Sequence, residues 1–111
     1  MMREIKESDW KIFRQLRAVA LERFCQRVLD ESEVLRGDTT RSAHERYVAI
    51  YQLFHERDKE VARLFNDLRR STAVWQLAAI KAHGLLTEDE FARFSQEAQN
   101  RVEALLEALQ A

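Results

Sequence analysis

Residues 41–83 read RSAHERYVAIYQLFHERDKEVARLFNDLRRSTAVWQLAAIKAH, with no glycine and no proline anywhere in the stretch. As one unbroken helix it would be about 63 Å long at 1.5 Å per residue, too long for a compact chain of this size. The stretch therefore predicts two helices, divided near Asn66-Asp67 or else at Ser71, all of them good capping residues. Before the division, Tyr47, Ile50, Tyr51, Phe54, Val61, Leu64, Phe65 and Leu68 recur at helical spacing. They predict a single face turned to a core, with Glu45, Gln52, Glu56, Lys59, Glu60 and Arg63 on the solvated side. After it, Ala73, Val74, Trp75, Leu77, Ala78, Ala79, Ile80 and Ala82 leave almost no polar face. Such a helix needs cover on several sides, and a second subunit is an expected source of it.

Upstream, Ser8 or Asp9 is placed to cap a first helix that ends before Gly37, where a left-handed residue would suit the helix end. The short polar loop Asp38-Thr39-Thr40-Arg41-Ser42 makes the first two helices antiparallel neighbours. Downstream, Thr87-Glu88-Asp89-Glu90 is a capping box, with Leu86 and Phe91 spaced for a hydrophobic staple. From Ser95 the apolar spacing alternates three and four through Ala98, Val102, Leu105 and Leu109, a short heptad seam. The expected fold is all-α and four-helix bundle-like: a long antiparallel hairpin (about 8–35 and 43–66) and a shorter one (about 67–83 and 87–110), forming a single domain over 1–111.

Composition agrees. Two glycines, no proline, 46% hydrophobic and 33% charged residues suit amphipathic helices and argue against disorder. Eighteen basic and 19 acidic residues leave a net charge of −1, so no broad field steers the chain to nucleic acid. The N-terminal residues lack the apolar run of a signal peptide, and no apolar run approaches the ~20 residues that span a bilayer. With the lone Cys25 unable to form an internal disulfide, a cytoplasmic protein is expected.

Residues 76–94, QLAAIKAHGLLTEDEFARF, resemble the SHOCT-type short C-terminal helical hairpin of bacterial proteins: an apolar helix, then Gly84-Leu85-Leu86-Thr87, then acids and Phe91. That resemblance implies a bacterial source and a role in oligomerisation or accessory interaction. The fourth helix runs past the usual end of such a hairpin, and the preceding 75 residues have no counterpart in it.

Chemistry-bearing patterns are few. No Gly-rich phosphate loop, HExxH, CxxC or nucleophile elbow occurs. Cys25, among Leu21, Phe24, Val28 and Leu29, is expected to pack as a small apolar group. His44 and His55 lie roughly 16 Å apart along one helix and cannot share a metal ion. No catalytic residue, metal or cofactor is therefore expected. Arg69-Arg70 beside a helix start is expected to be a solvated turn rather than an anion site. Asp58 falls on the apolar side of the second helix, where an isolated carboxylate would cost several kcal/mol, roughly. A register-fixing ion pair with Arg17 or Arg27 of the first helix is expected. That helix has a wide apolar arc interleaved with Arg14, Arg17, Arg23 and Arg27, which suits either an interface or the edge of a core.

The expected function is that of a non-catalytic interaction module, homodimeric, or else bound to another protein. Trp10, Trp75, Ala78, Ala79, Val102, Leu105 and Leu109 are the predicted contacts. The alternatives are a small-ligand bundle with a pocket at Tyr51, His55 and Trp75, and a nucleic-acid-binding accessory protein with a local basic face.

Overall fold

The computed structural model describes residues 4–110. Five α-helices follow one another: α1 (Glu7–Arg36), α2 (Ala43–Phe65), α3 (Ala73–Ala82), α4 (Glu88–Phe91) and α5 (Gln96–Gln110), with a 3₁₀ turn at Arg70–Thr72 before α3. There are no strands among the described residues. The fold is all-α, as the missing turn residues predict.

The division of the long stretch lies where the capping residues put it, with α2 ending at Phe65 and Asn66 as its cap. The chain then stays irregular for longer than expected, so α3 begins at Ala73 rather than near residue 67. Side chains hold the connection: Gln76 donates to the Asp67 carbonyl and Thr72 Oγ1 to that of Arg69. Arg69 pairs with Asp67 at 2.6 Å on the exposed rim of the turn. Gly37 keeps an ordinary right-handed backbone, φ −82°, against the expectation of a left-handed one. Gly84, at φ 67°, takes the left-handed conformation that ends α3, where a side chain would be strained.

The predicted fourth helix is in fact two. Its capping box forms as expected, with the Glu90 amide donating to Thr87 Oγ1 and the Thr87 amide to Glu90 Oε1. The helix tightens after one turn, with the Arg93 and Phe94 amides bonding three residues back, and Asp9 then holds the chain out of the helix at Ser95. In a continuous helix the Ser95 N–H would bond the carbonyl four residues back. Here it donates to Asp9 Oδ1 at 2.8 Å, and Ser95 Oγ donates to Asp9 Oδ2 at 2.6 Å. Ser95 then caps α5, accepting from the Ala98 amide. Asp9 is thus not the cap of α1. Lys6 holds that position without a side-chain bond, and Asp9, 2% exposed, is a buried acid joining α1 to α5.

The molecule is elongated, 53 × 25 × 24 Å. α1 and α2 run antiparallel along its length, while α3 packs on α5 and touches both α1 and α2. The core sits at one end, around Phe13, Phe65, Ile80, Leu85 and Val102, each under 2% exposed. α3 is enclosed by its own chain over Ala73, Val74, Leu77, Ala78 and Ile80, so no second subunit is needed to cover it. The uncovered apolar surface lies elsewhere: from Leu29 to Arg63 no residue is buried. The outer part of the α1–α2 hairpin is an arm that extends from the body.

Candidate interaction surface

Three arginines of α1 tie it to the ends of the neighbouring elements of the body. Helix ends leave carbonyls without intrahelical partners, and cations suit that negative end of the dipole. Arg17 donates to the Phe65 carbonyl at the end of α2, with its guanidinium 5.8 Å from the Phe65 ring centre. Arg27 donates to the His83 and Gly84 carbonyls, both at 2.6 Å, at the end of α3. Arg23 donates to the Leu85 carbonyl at 2.9 Å and grips both Glu90 oxygens at 2.6 and 2.9 Å. The Arg23 hydrogen bonds, with the Thr87 amide, lower the Glu90 carboxyl to about 2. The wide arc of α1 is therefore a core edge, and Arg17, Arg23 and Arg27 within it serve the carbonyls at and just after the ends of neighbouring helices.

The expected ion pair between Asp58 and Arg17 or Arg27 does not form. Both arginines are spent on backbone carbonyls, and Asp58 is exposed. The register of the hairpin is set instead by Arg57 of α2, which reaches Glu31 of α1 at 2.9 Å and Glu60 at 3.1 Å. The Glu31 hydrogen bond raises the Arg57 pKa further. Arg46 adds a second tie, donating to the Arg36 carbonyl at 2.6 Å.

Beyond these ties lies the surface that is left open. Tyr47 is 71% exposed, Tyr51 62%, Leu29 52% and Phe54 42%. Tyr51 stacks on His55, ring centres 6.1 Å apart and 8° from parallel. At the inner end of the row a cleft of about 280 Å³ opens between the two helices. Phe24, Val28, Phe54 and Val61 make its walls, with Cys25 and Leu29 on the α1 lip and Arg57 and Asp58 on the α2 lip. Cys25 is exposed there, not packed among apolar neighbours as expected.

The predicted contact residues divide. Ala78 and Val102, at 1% and 0% exposure, are inside the chain's own core and present no surface. Trp10 is half-buried and stacks on Phe13 at 5.9 Å. Ala79 is half-buried beside Glu60, Leu64 and His83. Trp75 and Leu105 line a shallow groove of about 330 Å³ with Val74, Arg101 and Ala104, and Leu109 is exposed further along α5. The predicted ligand pocket is not assembled: Tyr51 and His55 stack on the arm, while Trp75 lines the groove between α3 and α5.

Tyr47, Tyr51 and Phe54 had the spacing of a core face, and only the inner third of that face is covered. The signal that separates the two parts is Asp58, which interrupts the row where α2 leaves the body. Among the described residues no group of three or more His, Cys, Asp or Glu side chains is placed to hold a metal ion, and no helix is long and apolar enough to cross a membrane. The chain matches no family model, no curated protein and no solved structure.

Proposed function

We propose that this chain is a non-catalytic helical interaction module whose binding element is the outer α1–α2 arm. The observation that carries the reading is the row Leu29, Tyr47, Tyr51 and Phe54, uncovered on a hairpin whose two helices are tied to each other by Arg46 and Arg57. Aromatic residues are enriched in the buried centres of protein interfaces, because they offer large apolar area with little side-chain freedom to lose. The cleft beside Phe54 adds a notch for an anchoring side chain, and Arg57, Glu31 and Asp58 supply a polar rim. The resemblance of residues 76–94 to SHOCT-type hairpins supports an interaction role for the chain, though those residues lie in the body and not on the arm.

Affinity capture with the folded chain, compared with Tyr51→Glu and Phe54→Glu, tests this. The variants are expected to keep the helical circular dichroism of the wild type and to lose whatever polypeptide it retains, itself included. Identical retention by all three proteins would remove the arm as a binding element.

A further inference from the structure

The occupant of the arm can be identified from the row itself. Tyr47, Tyr51, Phe54, Asp58, Val61 and Phe65 follow one another at spacings of four, three, four, three and four, the seam of a helix packed side by side with another. The chain's own body covers this seam at Phe65 and partly at Val61, and leaves it open from Asp58 outward. The open part reads phenol, phenol, plain ring, carboxylate. Read in reverse, it is its own complement. An antiparallel second copy, centred between residues 52 and 53, sets Tyr51 against Phe54 of the partner subunit. It also sets each Tyr47 phenol against Asp58 of the partner subunit.

We infer that the arm pairs with the arm of a second copy of this chain, α2 against α2 and antiparallel, with Tyr47 donating to Asp58 of the partner subunit. The inference rests on the interaction-module reading and names its partner. Asp58 argues for it. Its charged neighbours on α2 are turned elsewhere, Arg57 to Glu31 and Glu60, and Lys59 to Glu56. Its carboxylate is left exposed at the inner end of the open apolar row. A wholly apolar occupant would strip water from that charge and return nothing. A parallel copy would bring the two Asp58 carboxylates together. Only the antiparallel copy supplies a donor at that place, and the paired hairpins then complete a four-helix bundle with the two bodies at opposite ends.

Sedimentation equilibrium of the full chain from about 1 to about 200 µM tests the pairing. The wild type is expected to form a species of twice the 13.1 kDa chain mass. Tyr47→Asp, which faces Asp58 of the partner subunit, is expected to weaken the dimer by ~tenfold or more, and Tyr47→Phe by a few-fold. The double variant Tyr47→Asp with Asp58→Arg is expected to recover the dimer, because each new carboxylate then meets a guanidinium. In a parallel pair the same double variant would oppose like charges at both positions and stay apart. A folded double variant that remains monomeric overturns the antiparallel register. A wild type that is monomeric throughout, while its arm still captures another polypeptide that Phe54→Glu loses, overturns self-pairing and leaves the module reading standing.

Discussion

The body and the arm are made from the same two helices and obey different rules. In the body, Phe13, Leu16, Ala20 and Phe24 of α1 meet Leu64 and Phe65 of α2, and α3 and α5 close over them. In the arm, α1 and α2 continue with comparable apolar content, yet nothing lies over them and no residue from Leu29 to Arg63 is buried. Periodicity alone thus says that a helix has an apolar side. Whether that side becomes a core or a docking surface depends on how much chain remains to cover it. Here α3, α4 and α5 are short, and they cover one end of a hairpin whose first helix, at 30 residues, is about twice the length of α5.

The contrast is broken most forcefully in the body. Phe13, 1% exposed, is expected to cost ~3–5 kcal/mol on replacement by alanine, by lost burial and the cavity left behind. Urea unfolding should show this as a shifted midpoint with an unchanged slope. A loss below ~1 kcal/mol would mean that the body is no better packed than the arm. Asp9→Ala comes next. It removes the acceptor of both Ser95 hydrogen bonds at a site of 2% exposure, and about 2 kcal/mol is expected to go with it. Thermal unfolding should fall by roughly 8 °C. α5 should lose amide protection more than α1 does, since the start of α5 is what Asp9 holds.

Glu90 sharpens the contrast through pH. Its folded pKa of about 2 lies below the ordinary 4.5, so its contribution is complete above 4.5 and disappears as pH falls toward 2. The Arg23 side chain is 38% exposed, and solvent screens the pair to a contribution of about 1 kcal/mol. Glu90→Gln should therefore be less stable than the wild type by that amount at pH 7, and the two should converge near pH 2. A difference that persists unchanged to pH 2 would assign the effect to packing rather than to the carboxylate.

Much of the body was legible in the sequence. The division after Phe65, the capping box at Thr87 and the antiparallel hairpin follow from local chemistry that no distant contact overrides. The break at Ser95 was not, because it depends on a carboxylate 86 residues away that competes for one amide. A serine before Gln96 and Glu97 is a reasonable cap, but neither glycine nor proline marks the place. The buried acid was misplaced for a related reason. Asp58 lies on an apolar row and Asp9 beside a helix start, and only the fold shows that the row is open at Asp58 and closed over Asp9. Arg17 and Arg27 looked like partners for an acid, whereas both serve only carbonyls, which every sequence offers equally.

The smallest expected effect is the most discriminating. Tyr51→Ala removes the most central ring of the arm's row, and in dilute solution it should change stability by no more than ~0.5 kcal/mol. The ring gives up its stack on His55 and some half-covered area, while alanine returns a few tenths of a kcal/mol in helix propensity. An effect of that size contrasts with alanine in place of any buried large side chain of the body. Raising the protein concentration should separate the two proteins. A second copy that binds only the folded arm, as inferred above, stabilises the wild type by mass action, so its unfolding temperature climbs with concentration while that of Tyr51→Ala stays level. Should Tyr51→Ala instead cost more than ~1 kcal/mol at every concentration, the ring is buried in the lone chain, and the arm is a continuation of the core rather than a surface awaiting one.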